Sequence, residues 1–171
     1  LFDGLQYYKG SFRLVSYTQT REWSVYAVNR AGAPGTADVS GILNVYDDQQ
    51  WLVRELLESY HLTGNREYLD EAEYLAQYVL DGWDCTLDSA GKEYGGITWG
   101  PGYVSKHSCS NGPFVSPLVW LYEIYKESEN VTDASVSFLS EITLTTTQTF
   151  SHNITNEAEI ENTIADCIVF K

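Results

Sequence analysis

The chain has no methionine, four prolines, three cysteines and only 10 basic side chains against 24 acidic ones in 171 residues. Each scarcity excludes something. A formal charge of −14 repels a nucleic-acid backbone or an anionic membrane surface, so neither is an expected partner. No run approaches the ~18 consecutive apolar residues of a membrane-spanning helix, and no charged, apolar and small-residue series marks a secretory signal. Cys85, Cys109 and Cys167 cannot all pair within one chain and form no C-x-x-C, which argues against a disulfide framework. Cys85 and Cys109 flank a loop-rich stretch, either as two separate thiols or as one bridge in an oxidising compartment. His61, His107 and His152 have no ligand spacing to one another or to a cysteine, so no metal site is expected. Gly91-Lys92 precedes Glu93 rather than Ser or Thr and no serine sits in G-x-S-x-G, which removes a phosphate loop and a nucleophile elbow. A chain without methionine that begins at Leu1 points to a processed product or a piece of something longer.

What is present is enough for one core: 43% hydrophobic residues, with 5 Trp, 13 Tyr and 6 Phe. Tyr68, Leu69, Ala72, Leu75, Ala76, Val79 and Leu80 recur at i, i+3, i+4, i+7 spacing, an amphipathic helix between Asn65 and Gly82. Asn65 caps its start and Gly82 supplies a left-handed stop. A preceding helix runs from Asp47 or Asp48 to His61, and the short link Leu62 to Asn65 makes the two an antiparallel hairpin. The spacing of Trp23, Tyr26 and Ala27 predicts another helix over 12–30, with a loop at 36–45. A long glycine-rich stretch follows Gly82 as far as Asn111, then a helix over Pro113 to Lys126 with Pro117 in its first turn. Beyond Ser128 the run Thr143 to Thr149 favours extended structure. The domain expected is therefore 1–127, followed by a Ser/Thr-rich segment 128–171 with sequons at Asn130 and Asn153.

The chemistry concentrates in Val45-Tyr46-Asp47-Asp48-Gln49-Gln50-Trp51. Two adjacent aspartates opening a helix are a common capping choice that favours the dipole. They also suit acid and base work, because different surroundings separate the pKa values of two carboxyls. Neighbours on a helix reach the separation of about 5 Å used by retaining glycosidases more easily than the wider gap, about 6.5 to 9.5 Å, of inverting ones. Trp51, Trp83, Tyr94, Trp99 and Tyr103 offer flat faces for sugar rings, and equally serve as core filler.

Tyr46-Asp47-Asp48-Gln49-Gln50-Trp51, Tyr60 to Asn65 with Tyr68-Leu69, Gly82-Trp83-Asp84, Tyr94-Gly95-Gly96-Ile97-Thr98-Trp99, and Lys106 with Ser110-Asn111 before a helix occur in the order found in glycoside hydrolase family 76. Over roughly residues 20 to 127 the chain resembles that family. The resemblance implies an all-α fold of helical hairpins from an (α/α)6 toroid and retaining hydrolysis of α-1,6-mannan or related α-mannosides. It implies Asp47 as nucleophile and Asp48 as general acid/base. Tyr46, Trp51, Tyr94, Gly95, Gly96, Trp99 and Asn111 would bind the glycan, a mannose-containing polysaccharide or oligosaccharide. It implies no cofactor and no metal, and action outside the cytoplasm, whether extracellular, periplasmic or at the cell surface. Where the family often has two tryptophans after the aspartates, this chain has Trp51-Leu52.

Twelve helices of about 12 residues with their connections need roughly twice this length. An incomplete toroid is thus expected, its other hairpins missing or supplied by another chain. The competing expectation is a glycan-binding or interaction module that keeps the aromatic surface without catalysis.

Overall fold

A computed structural model describes residues 2–15, 20–40, 44–84, 90–91 and 95–127. The segment 128–171 with both sequons and Cys167, and the candidate residues Cys85 and Tyr94, lie outside the described residues.

The centre of the fold is a helical hairpin, α2 (Tyr46–Thr63) and α3 (Arg66–Asp81). The link between them is two residues long, and each has a local task. Gly64 adopts φ 67°, a left-handed conformation that a β-carbon disfavours, and its N–H bonds Tyr60 O at 2.7 Å. Asn65 then accepts the Glu67 N–H on its side chain, capping α3 as its position predicts. Val53, Leu56 and Leu57 of α2 interlock with Leu69, Ala72, Leu75, Ala76 and Val79 of α3, all of them buried. These are the 3.6-residue stripes of the sequence, and every one faces the core.

A helix α4 (Val115–Glu127), entered through 3-10 turns at Ser108–Ser110 and Gly112–Phe114, adds Phe114, Leu118, Leu121 and Tyr125 to that core. Pro117 occupies its first turn, where the missing N–H costs no bond. The Tyr125 hydroxyl donates to Glu73 of α3.

The helix expected over 12–30 is instead a β-hairpin. A short helix α1 (Phe2–Leu5) leads into β1 (Lys9–Val15), which pairs antiparallel with β2 (Thr20–Tyr26) in the register Phe12 to Trp23. The three apolar residues Trp23, Tyr26 and Ala27 fit a helix by spacing, but the whole segment alternates with period two. Phe12 meets the Tyr78 ring of α3 and Leu14 packs against the core, whereas Ser11, Arg13 and Val15 are exposed; Trp23 and Val25 are fully buried. β-Branched and aromatic residues suit this pleated, half-buried surface.

Polar contacts lock the hairpin to the helices. Lys9 pairs with Glu71 at 2.7 Å, Tyr26 donates its hydroxyl to the same carboxylate at 3.0 Å, and the Ser24 N–H bonds the Tyr74 hydroxyl at 2.8 Å. Burial, with the Glu71 charge beside it, pushes the Tyr26 phenol far up, so it stays a donor. The strands β3 (Trp83–Asp84) and β4 (Gly96–Ile97) form a second, minimal antiparallel pair inside the glycine-rich stretch. The helices remain the framework, and the two β pairs are attached to it.

The tightest tie between hairpin and framework is Gln49. Its carbonyl accepts the Tyr26 N–H at 3.1 Å and its amide donates to Tyr26 O at 2.7 Å, all within the core. Gln49→Leu keeps the approximate volume but leaves two buried backbone groups unpaired. It is expected to cost about 2–4 kcal/mol of stability, measured by urea unfolding. A loss below about 0.5 kcal/mol would show that the hairpin is not held through this amide.

Candidate active site

The first turn of α2 carries the acid pair, and three segments converge on it. The Tyr46 N–H, an orphan donor at the helix start, bonds Trp99 O at 2.9 Å and so ties the helix to the loop after β4. Gln49 ties the same turn to β2. Gln50 donates to Ser110 O at 2.6 Å and ties it to the turn before α4.

Tyr46 itself is core rather than cleft. Its ring is 2% exposed and packs on Tyr78 with centroids 5.0 Å apart. Burial and the Asp81 charge raise its phenol well above the ordinary range, so it remains protonated. Gly82 is required here by close approach, because a β-carbon at that position would run into the Tyr46 ring. Gly82 thus ends α3 at φ −78° rather than in the expected left-handed conformation, and the need for glycine there comes from the Tyr46 ring.

Asp47 is half-buried and Asp48 exposed at the positive end of α2, with no side-chain cap from Val45. The Oδ1 oxygen of Asp47 is closed to solvent and meets no donor among the described residues. The Asp48 carboxyl is raised above its ordinary value of 3.8, first by desolvation and then by the negative charge of Asp47. Solvent reaches the Asp48 residue as a whole, yet its carboxyl is still partly desolvated. Two adjacent acids therefore occupy different environments, the arrangement that separates proton-holding from charge-holding roles.

The other candidates divide into three groups. Trp51 lies one turn along α2, 49% exposed, with the Arg54 guanidinium 5.9 Å from its ring centroid. Trp99 packs at a tilt on Tyr103 at 4.9 Å and on His107 at 5.5 Å, a partly open aromatic cluster anchored at the start of α2. Gly96 and Asn111 form the loop's frame: Asn111 accepts the Ile97 N–H at 2.8 Å and donates to the carbonyls of Ile97 and His107 at 2.9 Å each. A β-carbon on Gly96 would press on Asn111 and Lys106, and one on Gly95 would strike Trp83. Asn111 thus acts on the backbone that carries the cluster. The same loop is closed by an ion pair of Lys106 with Asp84 at 2.8 Å and by a bridge between Thr98 and Lys106.

The residues to which sequence reasoning assigned no role are Gln49 and Gln50, both about 1% exposed. They continue the buried stripe of Val53, Leu56 and Leu57 toward the helix start, so a polar amide at a core-facing position was the available signal. A cavity of about 470 Å³ opens elsewhere, along the 27–39 loop and Asn44, and neither aspartate nor Trp99 lines it. No group of three or more His, Cys, Asp or Glu among the described residues is arranged to hold a metal.

The model of glycosyl hydrolase family 76 matches residues 36–167. Among solved structures, the GH76A α-1,6-mannanase from Salegentibacter sp. HEL1_6 is similar at 29% identity over 62% of this chain and 28% of its own, with a TM-score of 0.43. A family 76 mannosidase from Bacteroides thetaiotaomicron VPI-5482 is similar at 22% identity over 92% of this chain and 35% of its own, with a TM-score of 0.56. A family 76 glycoside hydrolase from a bovine Bacteroides thetaiotaomicron strain gives 20% identity over 92% and 28%, with a TM-score of 0.55. No curated protein sequence matches. The chain therefore spans about a third of the length of these structures or less. The two Bacteroides likenesses show the fold, helical hairpins of the (α/α)6 type. With the family match extending over well over half of its residues, including the helix that opens on the acid pair, this chain belongs to glycosyl hydrolase family 76.

Proposed function

We propose that this chain acts as a retaining glycoside hydrolase on α-1,6-mannan or a related α-mannoside, with Asp47 as nucleophile and Asp48 as general acid/base. The observation that carries the reading is the pair itself. Two adjacent carboxyls open α2 inside the family match, and one of them is desolvated and raised by the other. A raised carboxyl keeps its proton closer to neutral pH, which a general acid requires. Asp47, in the first turn of α2 beside it, is the carboxyl left for the nucleophile's part.

In the first step Asp48 gives its proton to the glycosidic oxygen while an Asp47 oxygen forms a bond to the anomeric carbon and the leaving sugar departs as an alcohol. In the second, Asp48 takes a proton from water, whose oxygen replaces Asp47 at the same carbon. Two inversions return the original anomeric configuration. Trp51, one turn from the acids, and Trp99 with Tyr103 offer apolar faces for sugar rings. Asn111 supports this surface through the backbone of Ile97 and His107. The α-mannoside substrate is what the family resemblance implies, and a neutral glycan is not repelled by a chain of charge −14.

Hydrolysis of α-1,6-mannan by the chain, by Asp47→Asn and by Asp48→Asn tests the assignment. Each variant is expected to lose about 10²-fold to 10⁴-fold in rate, and proton NMR of the first product should show the retained anomer. Equal sugar release by all three would sink the proposal. Mannan binding without turnover, unchanged in the double variant, would point instead to a binding module.

The pH dependence follows from Asp48. Because its folded value lies above 3.8, the folded chain holds more protons there than the unfolded one. Its contribution to stability is full below that value and is lost as pH rises through the raised one. Asp48→Asn is therefore expected to raise Tm at pH 7 while lowering activity, with the gain vanishing near pH 3. A variant less stable than the parent at pH 7 would contradict the crowding of the two carboxyls.

A further inference from the structure

The short bridge inside the glycine-rich loop puts three side chains on one face. Thr98 pairs antiparallel with Lys106, and the Trp99 N–H bonds Ser105 O at 2.9 Å, so Trp99 stands across from Ser105. Side chains alternate along such a pair, which buries Thr98, sends Lys106 to its ion pair with Asp84, and leaves Trp99, Ser105 and His107 on the opposite side. The contacts agree with this placement. The His107 ring lies 5.5 Å from Trp99, and its Nε2 is hydrogen-bonded to the Ser105 hydroxyl oxygen at 3.0 Å. His107 and Ser105 are exposed and Trp99 is half-buried. Neither polar side chain has a further partner among the described residues. The backbone beneath them is fixed. His107 O accepts from the Asn111 amide at 2.9 Å and from the Ser110 N–H at 3.1 Å, and Trp99 O holds the N–H of Tyr46, the residue before Asp47.

A hydroxyl and an imidazole bonded to each other keep donors and acceptors in reserve. If Nε2 carries the proton and donates it, Ser105 keeps its own O–H to give and Nδ1 accepts. If Ser105 donates to Nε2 instead, its oxygen keeps two lone pairs and Nδ1–H donates. Two hydroxyls on adjacent sugar carbons make the matching demand, since each gives one hydrogen bond and takes others, and they stand about as far apart as the two bonded atoms do. We infer that His107 and Ser105 together read a vicinal diol of a sugar ring packed on Trp99, and so help to determine which glycans the site accepts. An aromatic face for the ring carbons, with a few placed polar atoms for the hydroxyls, is how small-molecule sites combine affinity with orientation. A mannose linked through O1 and O6 keeps O2, O3 and O4 free, and both of its vicinal pairs include O3. This inference deepens the α-mannoside reading above and rests on it for the identity of the sugar, whereas the polar pair and its aromatic face do not.

The test is calorimetric titration with the methyl glycoside of α-1,6-mannotriose and with its analogue lacking O3 on every ring, which has no vicinal diol. Both are titrated into the chain, into His107→Phe, which keeps a ring against Trp99, and into Ser105→Ala. Each variant is expected to bind the full trimer about 3-fold to 10-fold more weakly than the parent, and the parent to lose a similar factor toward the 3-deoxy trimer. Toward that trimer the variants should match the parent, a result that a merely structural role would not produce. The double variant should lose less than the product of the two single factors, because the pair acts as one unit. Unchanged binding of the full trimer by both variants overturns the inference. So does equal weakening toward both trimers, or a parent that binds neither. If His107→Phe does not fold, Ser105→Ala, which removes only an exposed hydroxyl, decides alone. A parent that binds the trimers with the expected preference yet cleaves neither leaves this subsite standing and removes the hydrolase assignment. A parent that cleaves the full trimer, with binding unchanged in every variant, does the reverse.

Discussion

The first turn of α2 is the point on which the rest of the structure depends. Three hydrogen-bonded attachments meet there: Tyr46 to Trp99, Gln49 to Tyr26 and Gln50 to Ser110. Each joins the turn to a different part of the chain, so the helix start is held against rotation as well as translation. The apolar stripes of α2 and α3 supply most of the burial, but such contacts are non-directional and tolerate small slides. The amides do not, because a hydrogen bond loses its value within a few tenths of an ångström and about 30°. A pair of acids at the end of such a helix is presented in a fixed direction.

The same placement carries an electrostatic cost. Burial first, and then the neighbouring charges of Asp47 and Asp81, raise the Asp48 carboxyl and the Tyr46 phenol at one end of the helical hairpin. The field of the helix start offsets part of this repulsion, and only within the first turn.

Much of this was legible beforehand, for identifiable reasons. The 65–82 helix declared itself because its stripe and its Asn65 cap agree, whereas Gly82 proved to serve the Tyr46 ring rather than a left-handed stop. The hairpin at 9–26 did not, because three aromatic and aliphatic residues satisfied a helical spacing by coincidence while the period-two pattern of Phe12, Leu14, Trp23 and Val25 ran through both arms. Asn111 was expected at the glycan, and its visible use, three hydrogen bonds to the backbone of the loop, depends on where Ile97 and His107 come to rest. Gln49 and Gln50 stood in the middle of the motif and were silent, since nothing in an amide's own neighbourhood along the chain says whether it faces water or a distant carbonyl.

The sequence by itself determined the helical hairpin, its caps, the family and the position of two adjacent acids at a helix start, because these rest on contacts within a few residues or on an ordered set of short motifs. Tertiary structure alone decided that a β-hairpin backs α3, that the two glutamines hold the acid-bearing turn, and that Asp47 and Asp48 sit in unequal surroundings. Those outcomes depend on partners 23 to 60 residues away, and the desolvation that separates the two carboxyls exists only once those partners have closed around them.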